Sequence, residues 1–560
     1  MKVVVAGGYG VFGSRLADLL VRDGHDVVIA GRDLVKAQDL ASRLGCTAQA
    51  TDLRANPAAL FDTQPDVVVD AAGPYQAYGD DPYRIACLCI DNGAEYIDLS
   101  DDARFTEGLS RLDGPACAAG RRLLSGVSSV PAISSSIAAE LCAGFEEVML
   151  IDTAILPGNR APRGASVIAS IIGQLGGQSC VWRGGVWRKQ FCWSDARRIS
   201  LATGLERTGR FIEVPDVTLF PERFKSRSVV FRAGMELGVL NAAMSVLARV
   251  RRYWPFQVTA RKARLFRWIA NLFLPFGTDR GGMRVLVVGS KKGAPVRREW
   301  RLVAEAGDGP YMPAVAARAV LRNLDRIAPG ARPCLAEVSR ADIEAAMTDL
   351  DVSTETEDGP APTLFQSALA DRWANLPEEV RDLHGVQDVE SFSGTAEVSR
   401  GTSAVARLAA WFFGFPPAAP SIPLTVTMTR TDDGEMWERN FDGHVFRSYC
   451  TPSPETYRYR ERFWLFNFEQ DLSVEDSSMR LPVRRGWFAG IPIPRLLLPT
   501  SESREYVKDG IFHFDVALGA PLGGGLIVHY RGQLRPDRIE TGASSPSRPG
   551  NLLYDGGYRP

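Results

Sequence analysis

The sequence predicts an α/β protein: an N-terminal parallel sheet, a second α/β domain and a C-terminal antiparallel β-rich domain. Short apolar runs alternate with helical patterns up to about residue 130, which is typical of parallel sheets with crossover helices. After residue 363, apolar runs separated by Asp-Gly turns dominate, which indicates antiparallel hairpins. A chain of 560 residues exceeds a single hydrophobic core, so we expect about three domains.

The chain opens with a strand, a glycine turn and a helix. Lys2–Ala6 is a short valine-rich run, typical of a buried central strand of a parallel sheet. Ser14–Arg22 follows with leucines at the i, i+3, i+4 spacing of a helix packed on a sheet. Between them lie four glycines that satisfy both G-x-x-G-x-x-G and G-x-G-x-x-G, namely Gly7, Gly8, Gly10 and Gly13.

This arrangement predicts a dinucleotide-binding domain of Rossmann type over residues 1–130. A pyrophosphate reaches the N–H groups and positive dipole end of a helix only where no Cβ keeps the backbone away. The alternative is a structural βα turn without a ligand. The predicted cofactor contacts in the turn are Gly7, Gly8, Tyr9, Gly10, Val11, Phe12 and Gly13.

Arg32 selects NADP over NAD in this interpretation. NAD-binding proteins place an acidic residue after the second strand, where it holds the ribose 2′-hydroxyl. The second strand here ends at Gly31, and Arg32 occupies that place, where a guanidinium pairs with a 2′-phosphate. The alternative is that Arg32 is merely exposed and Asp33 takes the hydroxyl.

Further cofactor contacts are expected at the carboxyl ends of later strands, because the ligand crevice lies there. Asp52 is expected to end the third strand (47–53), near the adenine. The fourth strand, Asp66–Asp70, leads into Ala72, Gly73 and Pro74, which we expect beside the nicotinamide ribose.

The proton donor is harder to predict, since no histidine lies between residues 26 and 383. Tyr75, which follows Gly-Pro on a crevice loop, is the first candidate and Asp98 the second. Tyr75 packing against the nicotinamide or the domain interface is an equal alternative. The remaining candidates are Tyr78, Asp101, Lys189 and water.

Four stretches resemble the saccharopine dehydrogenase-like reductases, a group that includes trans-acting enoyl reductases. These are the glycine turn, Asp-Ala-Ala-Gly-Pro-Tyr (70–75), Glu-Tyr-Ile-Asp-Leu-Ser (95–100) and Gly-Val-Ser-Ser-Val-Pro (126–131). The resemblance implies an α/β substrate domain over 131–348 with a return helix near 314–324. Ser100-Asp101-Asp102 departs from the Thr-Gly-Glu that relatives often carry, so the family's substrate contacts are not carried over.

A basic and aromatic stretch lies inside the substrate domain. Residues 237–277 hold seven Lys or Arg and no acid, interleaved with Trp, Tyr and Phe. This composition predicts peripheral membrane contact through residues 246–276. The alternative interpretations are a lid over an apolar pocket and a solvated helical hairpin. Basic amphipathic patterns are not specific, so the hairpin is the more common case. With the Trp and Phe content of this domain, it also suggests an apolar, acyl-type or lipid-like substrate.

Residues 349–363 are acidic and contain proline, which predicts a linker. The β-rich domain is expected over 364–535, and it resembles an uncharacterised domain attached to such reductases. Residues 536–560 are rich in Ser, Pro, Gly and Arg, which predicts a disordered tail. The polar residues to watch in the β-rich domain are His384, Glu435, Arg439, His513 and Asp515, which are more typical of ladder pairs than of a catalytic set.

Composition excludes several classes of function. A net charge of −1 gives no reason to expect nucleic acid as a partner. The nine cysteines form no C-x-x-C pair, so we expect reduced thiols, no metal site and a cytoplasmic location, with membrane association as the variant. The first strand begins at residue 2, which leaves no signal peptide, and no apolar run is long enough to span a bilayer.

The predicted function is an NADP-dependent oxidoreductase of the saccharopine dehydrogenase-like type. The alternative is a sensor or scaffold that binds NADP without turnover and acts through the β-rich domain. Substrate, reaction direction and oligomeric state are left open by the sequence.

Overall fold

The structure, a computed structural model, describes residues 1–162, 171–254 and 268–537. The expected disordered tail lies outside this range apart from its first two residues. The described chain divides into two compact units, one of residues 1–182 and 187–359, the other of residues 183–186 and 360–537.

The described part of the chain up to residue 360 has the following elements. The strands are β1 (Lys2–Ala6), β2 (Asp26–Gly31), β3 (Thr47–Ala50), β4 (Val67–Asp70), β5 (Glu95–Asp98), β6 (Arg122–Ser125), β7 (Glu147–Leu156), β8 (Gln178–Arg183), β9 (Val186–Phe191), β10 (Arg197–Ala202), β11 (Leu205–Phe211), β12 (Val229–Ala233), β13 (Gly281–Lys291), β14 (Ala294–Ala304), β15 (Gly330–Pro333) and β16 (Val352–Pro360). The helices are α1 (Gly13–Arg22), α2 (Leu34–Leu44), α3 (Arg84–Asn92), α4 (Ala103–Gly108), α5 (Asp113–Ala119), α6 (Ser134–Cys142), α7 (Pro215–Phe224), α8 (Gly238–Tyr253), α9 (Met312–Arg322) and α10 (Arg340–Ala345).

The first sheet is parallel throughout, in the order β15-β6-β5-β4-β1-β2-β3, which confirms the predicted Rossmann-type sheet. β1 is central, and Val3, Val4 and Val5 are fully buried, as a strand covered on both faces requires. The seventh strand, β15, is not expected from the sequence. Its Gly-Ala-Arg-Pro contains no apolar run, and only its pairing with β6 makes it a strand.

The second sheet is mixed, in the order β10-β11-β12-β7-β13-β14-β16. β7 pairs in parallel with β12 and antiparallel with β13. One hydrophobic core joins the first sheet to the second through α6 and α9, with Val5, Ile137, Val315 and Trp300 among its buried members. The two sheets of this unit therefore share a core.

The predicted linker over residues 349–363 is wrong, because its central part forms β16 at the edge of the second sheet, beside β14. The acidic side chains that suggested a solvated linker instead pair with arginines of β14. Glu357 lies 2.8 Å from Arg297 and also pairs with Arg301, while Asp358 lies 3.4 Å from Arg298. Opposite charges on neighbouring strands stabilise this exposed edge.

The return helix expected near 314–324 is α9, which packs against α1. Arg318 is almost fully buried and donates two hydrogen bonds to Asp23, at 2.7 and 3.0 Å, just beyond the end of α1. Arg322 binds the same carboxylate. Although burial acts in the opposite direction, these hydrogen bonds hold the pKa of Asp23 well below its ordinary value.

Apart from residues 183–186, the second unit lies beyond residue 360, where the chain forms thirteen strands and three α-helices within the described residues. The strands are β17 (Val389–Arg400), β18 (Ala419–Arg430), β19 (Glu435–Phe441), β20 (His444–Pro452), β21 (Arg458–Phe463), β22 (Phe466–Asp471), β23 (Ser473–Glu475), β24 (Ser478–Arg480), β25 (Val483–Phe488), β26 (Ile491–Pro492), β27 (Thr500–Lys508), β28 (Ile511–Gly519) and β29 (Leu526–Pro536). The helices are α11 (Leu364–Leu369), α12 (Glu378–His384) and α13 (Ala404–Phe412).

These thirteen strands form one sheet whose neighbours pair antiparallel, in the order β23-β24-β27-β28-β29-β17-β18-β19-β20-β21-β22-β25-β26. The predicted antiparallel β-rich domain is therefore confirmed. Its core lies between the sheet and the three helices, around Phe365, Val380, Ala406 and Trp437.

We predict that Asp23→Ala lowers the free energy of unfolding of the first unit by about 2 kcal/mol, because the buried Arg318 guanidinium loses two hydrogen bonds to a carboxylate and keeps those to Asp349 and Ala346. The matched control is Asp39→Ala, which breaks an exposed i, i+4 pair with Arg43 and should cost less than about 0.5 kcal/mol. Calorimetric unfolding of both variants measures this. Equal effects would contradict a structural role for the Asp23 clamp.

Candidate functional site

The glycine turn joins β1 to α1 by backbone hydrogen bonds. The N–H groups of Gly7 and Gly8 both donate to the Ala30 carbonyl on β2, at 2.8 and 3.3 Å. Gly10 N–H donates to the Gly7 carbonyl at 2.8 Å. Gly7 has φ +73°, a conformation that glycine adopts without strain.

The glycines of the turn have different tasks. A Cβ on Gly7 would lie 2.7 Å from Ala72 Cα, and one on Gly13 would lie 2.5 Å from the Gly7 carbonyl oxygen. These two glycines therefore allow the chain to pack against itself. A Cβ on Gly10 would meet only one atom within 4 Å, the Gly7 carbonyl oxygen at 3.0 Å. Gly10 thus presents bare backbone to an otherwise open space.

At the start of α1, Ser14 N–H donates to the Gly10 carbonyl at 3.0 Å, while the N–H groups of Val11, Phe12 and Gly13 make no backbone hydrogen bond within the described residues. Phe12 is the N-cap residue and makes no side-chain capping bond, and the first turn carries no acidic residue. A ten-residue helix with an uncapped N-terminus attracts an anion through its free donors and its dipole. The backbone from Gly10 to Gly13 therefore fits a pyrophosphate.

The end of β2 brings Arg32 to the same side of the sheet. Arg32 is exposed, and among the described residues its guanidinium makes no hydrogen bond or ion pair. Asp33 is already engaged: it caps α2 by accepting from Lys36 N–H at 3.2 Å and pairs with Lys36 Nζ at 2.7 Å. This geometry disfavours the alternative in which Asp33 holds a ribose hydroxyl.

Tyr9 and Asp52 border this corner. The Tyr9 ring packs against Gly31, where a Cβ would lie 2.3 Å from Tyr9 Cε1, and the Tyr9 hydroxyl accepts from Asp33 N–H at 3.1 Å. Asp52 does not end β3 but follows it by two residues in an exposed turn. The Arg54 N–H, and to a smaller extent the charge of Arg32, hold the pKa of Asp52 below its ordinary value.

The loop after β4 forms the next wall. Ala72, Gly73 and Pro74 are partly exposed at the carboxyl edge of the sheet, as expected for crevice residues. Asp70 orders this loop by accepting from Ala72 N–H at 3.0 Å and from the Tyr78 hydroxyl at 2.9 Å. Burial raises the pKa of Asp70 to about 6.

Tyr75 has a structural task that argues against proton donation. Its hydroxyl donates to the Asp70 carbonyl oxygen at 2.8 Å and accepts from Leu99 N–H at 3.1 Å. The side chain is only 6% exposed and packs on Phe105. Tyr75 therefore bridges the ends of β4 and β5, and its role as proton donor stays a prediction.

Asp98 is likewise buried. Its Oδ1 accepts hydrogen bonds from Ser125 Oγ, Ser100 N–H and Gly126 N–H, each at 2.9 Å. Its Oδ2 is buried without a hydrogen-bond partner among the described residues. Burial raises the pKa of Asp98 to about 7, so both the protonated and the ionised carboxyl are populated near neutral pH. This geometry gives Asp98 a positioning task for the loop after β6.

Asp101, one of the remaining candidates, lies closer to the surface at the same edge. It follows β5 by three residues and is partly exposed. Burial and the neighbouring charge of Asp102 raise the pKa of Asp101 to about 6. Asp102 itself caps α4 by accepting from Phe105 N–H at 2.8 Å.

Sequence reasoning did not single out Asp70 or Ser125. Asp70 is the register partner of Asp98 on neighbouring parallel strands, so two carboxyls end adjacent strands. That juxtaposition follows from the sheet order. The signal available in the sequence was that Asp70 ends the predicted fourth strand, Asp66–Asp70.

Three serines begin α6, and their side chains bond to the backbone. Ser134, Ser135 and Ser136 are buried and donate to carbonyl oxygens of the preceding turn. In the second unit Asp515 pairs with His529 at 2.7 Å, not with His513. Within the described residues no cluster of His, Cys, Asp or Glu is arranged to hold a metal ion.

Three polar residues noted from the sequence of the β-rich domain, His384, Glu435 and Arg439, each pair with a neighbouring side chain. His384 Nε2 lies 2.6 Å from Glu505, Glu435 accepts from Trp437 Nε1 at 3.0 Å, and Arg439 lies 3.2 Å from Glu461. All are buried or nearly so inside the core of that unit.

Two family models match parts of this chain. Residues 3–120 match a family model described as the saccharopine dehydrogenase NADP binding domain. Residues 376–534 match a domain of unknown function, DUF4166. The resemblance to trans-acting enoyl reductases stays a prediction.

The solved structures that this chain is similar to include saccharopine dehydrogenase (L-Glu forming) from Saccharomyces cerevisiae. It is 15% identical, with 64% of this chain and 99% of that chain covered and a TM-score of 0.47. An imine reductase from Bacillus cereus is 23% identical over 22% of this chain and 40% of its own, with a TM-score of 0.17. Among curated proteins no match is found.

We predict that Gly10→Val abolishes NADPH binding while leaving the fold intact, because the added side chain fills the open space above the turn. Gly13→Val is the matched contrast, since its side chain would strike the Gly7 carbonyl and unfold the turn. Fluorescence titration with NADPH and the thermal midpoint together distinguish the two. Retained affinity in Gly10→Val would contradict the assigned site.

Proposed function

We propose that this protein is an NADP(H)-dependent oxidoreductase that transfers hydride to an apolar or acyl-type substrate. The observation that carries the proposal is the bare backbone at Gly10, facing the uncapped N-terminus of α1. A Cβ-free approach to free helix N–H groups is what a pyrophosphate requires.

The coenzyme's second phosphate site is Arg32. Its guanidinium is exposed at the end of β2, while the acidic rival Asp33 is committed to capping α2. A guanidinium pairs with a 2′-phosphate by charge-assisted hydrogen bonds, which supports NADP over NAD. The family match of residues 3–120 supports the same coenzyme.

The bound coenzyme would supply the hydride. The chain's own residues would position the nicotinamide and donate a proton to the substrate. Ala72, Gly73 and Pro74 would flank the nicotinamide side of the crevice. Tyr75 and Asp98 hold the β4, β5 and β6 ends in place. Asp101 is the proposed proton donor, because it is partly exposed and its raised pKa keeps the acid form available.

The substrate domain supports an apolar substrate reached from a membrane surface through residues 246–276. α8 exposes Val246, Val250 and Tyr253, followed by Trp254, with exposed fractions between 39% and 73%. Residues 255–267 of this stretch lie outside the described residues. No helix in the described ranges is long and apolar enough to cross a membrane.

One observation favours the alternative, a sensor that binds NADP without turnover. Both side chains first predicted as catalytic are buried and engaged in holding strand ends together. In that case the coenzyme site would only bind NADP, and the DUF4166 domain would act on a partner. Measuring whether the protein oxidises NADPH with a substrate distinguishes the sensor from the enzyme.

We expect Arg32→Asp to weaken NADPH binding 10- to 100-fold, about 1.5–3 kcal/mol for hydrogen bonds to a charged group, and to spare NADH. The matched control is Arg43→Asp on the far part of α2, which should leave the NADPH to NADH ratio unchanged. Dissociation constants for both coenzymes measure this. An unchanged ratio in Arg32→Asp would remove this residue from the coenzyme site.

We expect the protein to oxidise NADPH in the presence of a long-chain enoyl thioester or ketone, with a rate that falls as pH rises through about 6. The reason is that the folded pKa of Asp101 is raised to about 6, so its proton is present below that pH and lost above it. Asp101→Asn should lose about 100-fold in kcat/KM and the pH dependence with it.

The control for Asp101→Asn is Asp80→Asn, in an exposed loop of the same domain. NADPH binding without turnover on enoyl, carbonyl or imine compounds would favour the sensor. A full rate with unchanged pH profile in Asp101→Asn would assign the proton to another donor.

A further inference from the structure

The second unit carries a contiguous exposed apolar surface at one end of its sheet, here termed the apolar patch. It comes from α13, the β21–β22 turn, the β25–β26 turn and two short turns near residues 496 and 522. Its members are Val405, Leu408, Trp411, Phe412, Trp464, Leu465, Phe488, Ile491, Leu496, Leu497 and Leu522, each between 42% and 78% exposed.

The segments of the patch touch one another. The rings of Phe412 and Trp464 lie 5.4 Å apart, and the Leu465 carbonyl accepts from Ala489 N–H at 2.9 Å, between Phe488 and Ile491. The turn that carries Leu522 contacts the residue before α13, because Ser403 Oγ donates to the Gly524 carbonyl at 3.0 Å. The surface is therefore continuous and lies within one unit.

Folding alone does not account for this surface. α13 turns its small residues Ala406 and Ala410 to the core, where they are 0% and 1% exposed, and turns Leu408 and Trp411 outward, at 66% and 77%. A helix that serves only packing has the opposite pattern, with large apolar side chains inside. Outside the patch, the described part of this unit exposes only two large apolar side chains, Val445 and Tyr449.

The charge around the patch has one sign. The segments 401–416, 462–468, 482–498 and 520–526 hold five arginines and no Asp or Glu, in a chain whose acids and bases are otherwise balanced. Arg484 and Arg485 pair with acids of neighbouring strands. Within the described residues the other three, Arg407, Arg462 and Arg495, are exposed and make no ion pair.

We propose that the apolar patch docks the second unit onto an anionic lipid surface. Trp and Leu side chains enter the interface, where aromatic rings are favoured, and the three unpaired arginines contact headgroup phosphates and carboxylates. The docking belongs to the DUF4166 unit and is independent of the coenzyme site and of residues 246–276.

The test is co-sedimentation of the full chain with phosphatidylcholine vesicles, with and without phosphatidylserine. We expect binding only to vesicles with phosphatidylserine and release by salt. The triple variant Arg407→Gln, Arg462→Gln, Arg495→Gln should bind about 100-fold more weakly, roughly fivefold for each basic residue near an anionic surface. No binding by the unmodified chain would overturn the proposal.

The matched control neutralises three exposed arginines elsewhere in the same unit, Arg447, Arg504 and Arg535, each to Gln. It should retain vesicle binding. An equal loss in both triple variants would overturn the proposal, because it would show that net charge and not the patch binds lipid.

Apolar contact is tested by the combined variant Leu408→Ser, Trp411→Ser, Trp464→Ser, compared with Val246→Ser, Trp254→Ser in the first unit. All five side chains are exposed, so the thermal midpoint should not change. Loss of vesicle binding only in the second variant would overturn the patch and leave the 246–276 contact standing. NADPH affinity, unchanged in both, keeps this outcome separate from the coenzyme site.

Light scattering decides the remaining case. A dimer of the unmodified chain that the Leu408→Ser, Trp411→Ser, Trp464→Ser variant dissociates, without vesicle binding, would identify the patch as a contact between copies and overturn the lipid proposal.

Discussion

The first unit depends on a backbone contact between the end of β1 and the start of α1. Gly13 lies so close to the Gly7 carbonyl that a Cβ would come within 2.5 Å of it, and Gly7 packs equally closely on Ala72. Strand, helix and the β4 loop therefore meet through glycine alone. The same contact leaves Gly10 with open space on the side away from Gly7, and the N–H groups of Val11, Phe12 and Gly13 without a backbone partner among the described residues, so the packing constraint also forms the proposed anion site. At its other end α1 is held by α9, through Arg318 and Asp23.

The elements of the first 130 residues could be predicted because their signals are local. Valine-rich runs, leucines at helical spacing and glycines after a strand act within ten residues, and β1, α2 and β4 lie within a residue of their expected bounds. β15 and β16 could not be predicted, since neither has an apolar run. Pairing with β6 makes one a strand, and arginines on β14 hold the acids of the other. Such partners are distant in sequence and become visible only in the sheet.

The candidate site divides in the same way. A coenzyme site at positions 7–13 and Arg32 could be predicted from the sequence, because a coenzyme's phosphates impose residue types at fixed spacing, and this site stays a prediction. The hydrogen-bonding roles of Asp70, Tyr75 and Asp98 could not be predicted, since they depend on which strands are neighbours in the sheet. Tyr75 resembles a proton donor in sequence, but its hydroxyl joins Asp70 to Leu99 in the folded chain. A polar residue at a strand end thus indicates the position of the crevice. The sequence does not show whether its side chain contacts the substrate or the backbone.

A crystal of the full chain soaked with NADPH tests the central claim most directly. We expect the pyrophosphate oxygens to lie within hydrogen-bond distance of the backbone N–H groups of Val11, Phe12 and Gly13, and the 2′-phosphate to lie against the Arg32 guanidinium. Density for the coenzyme elsewhere, or a side chain occupying the space above Gly10, would contradict it.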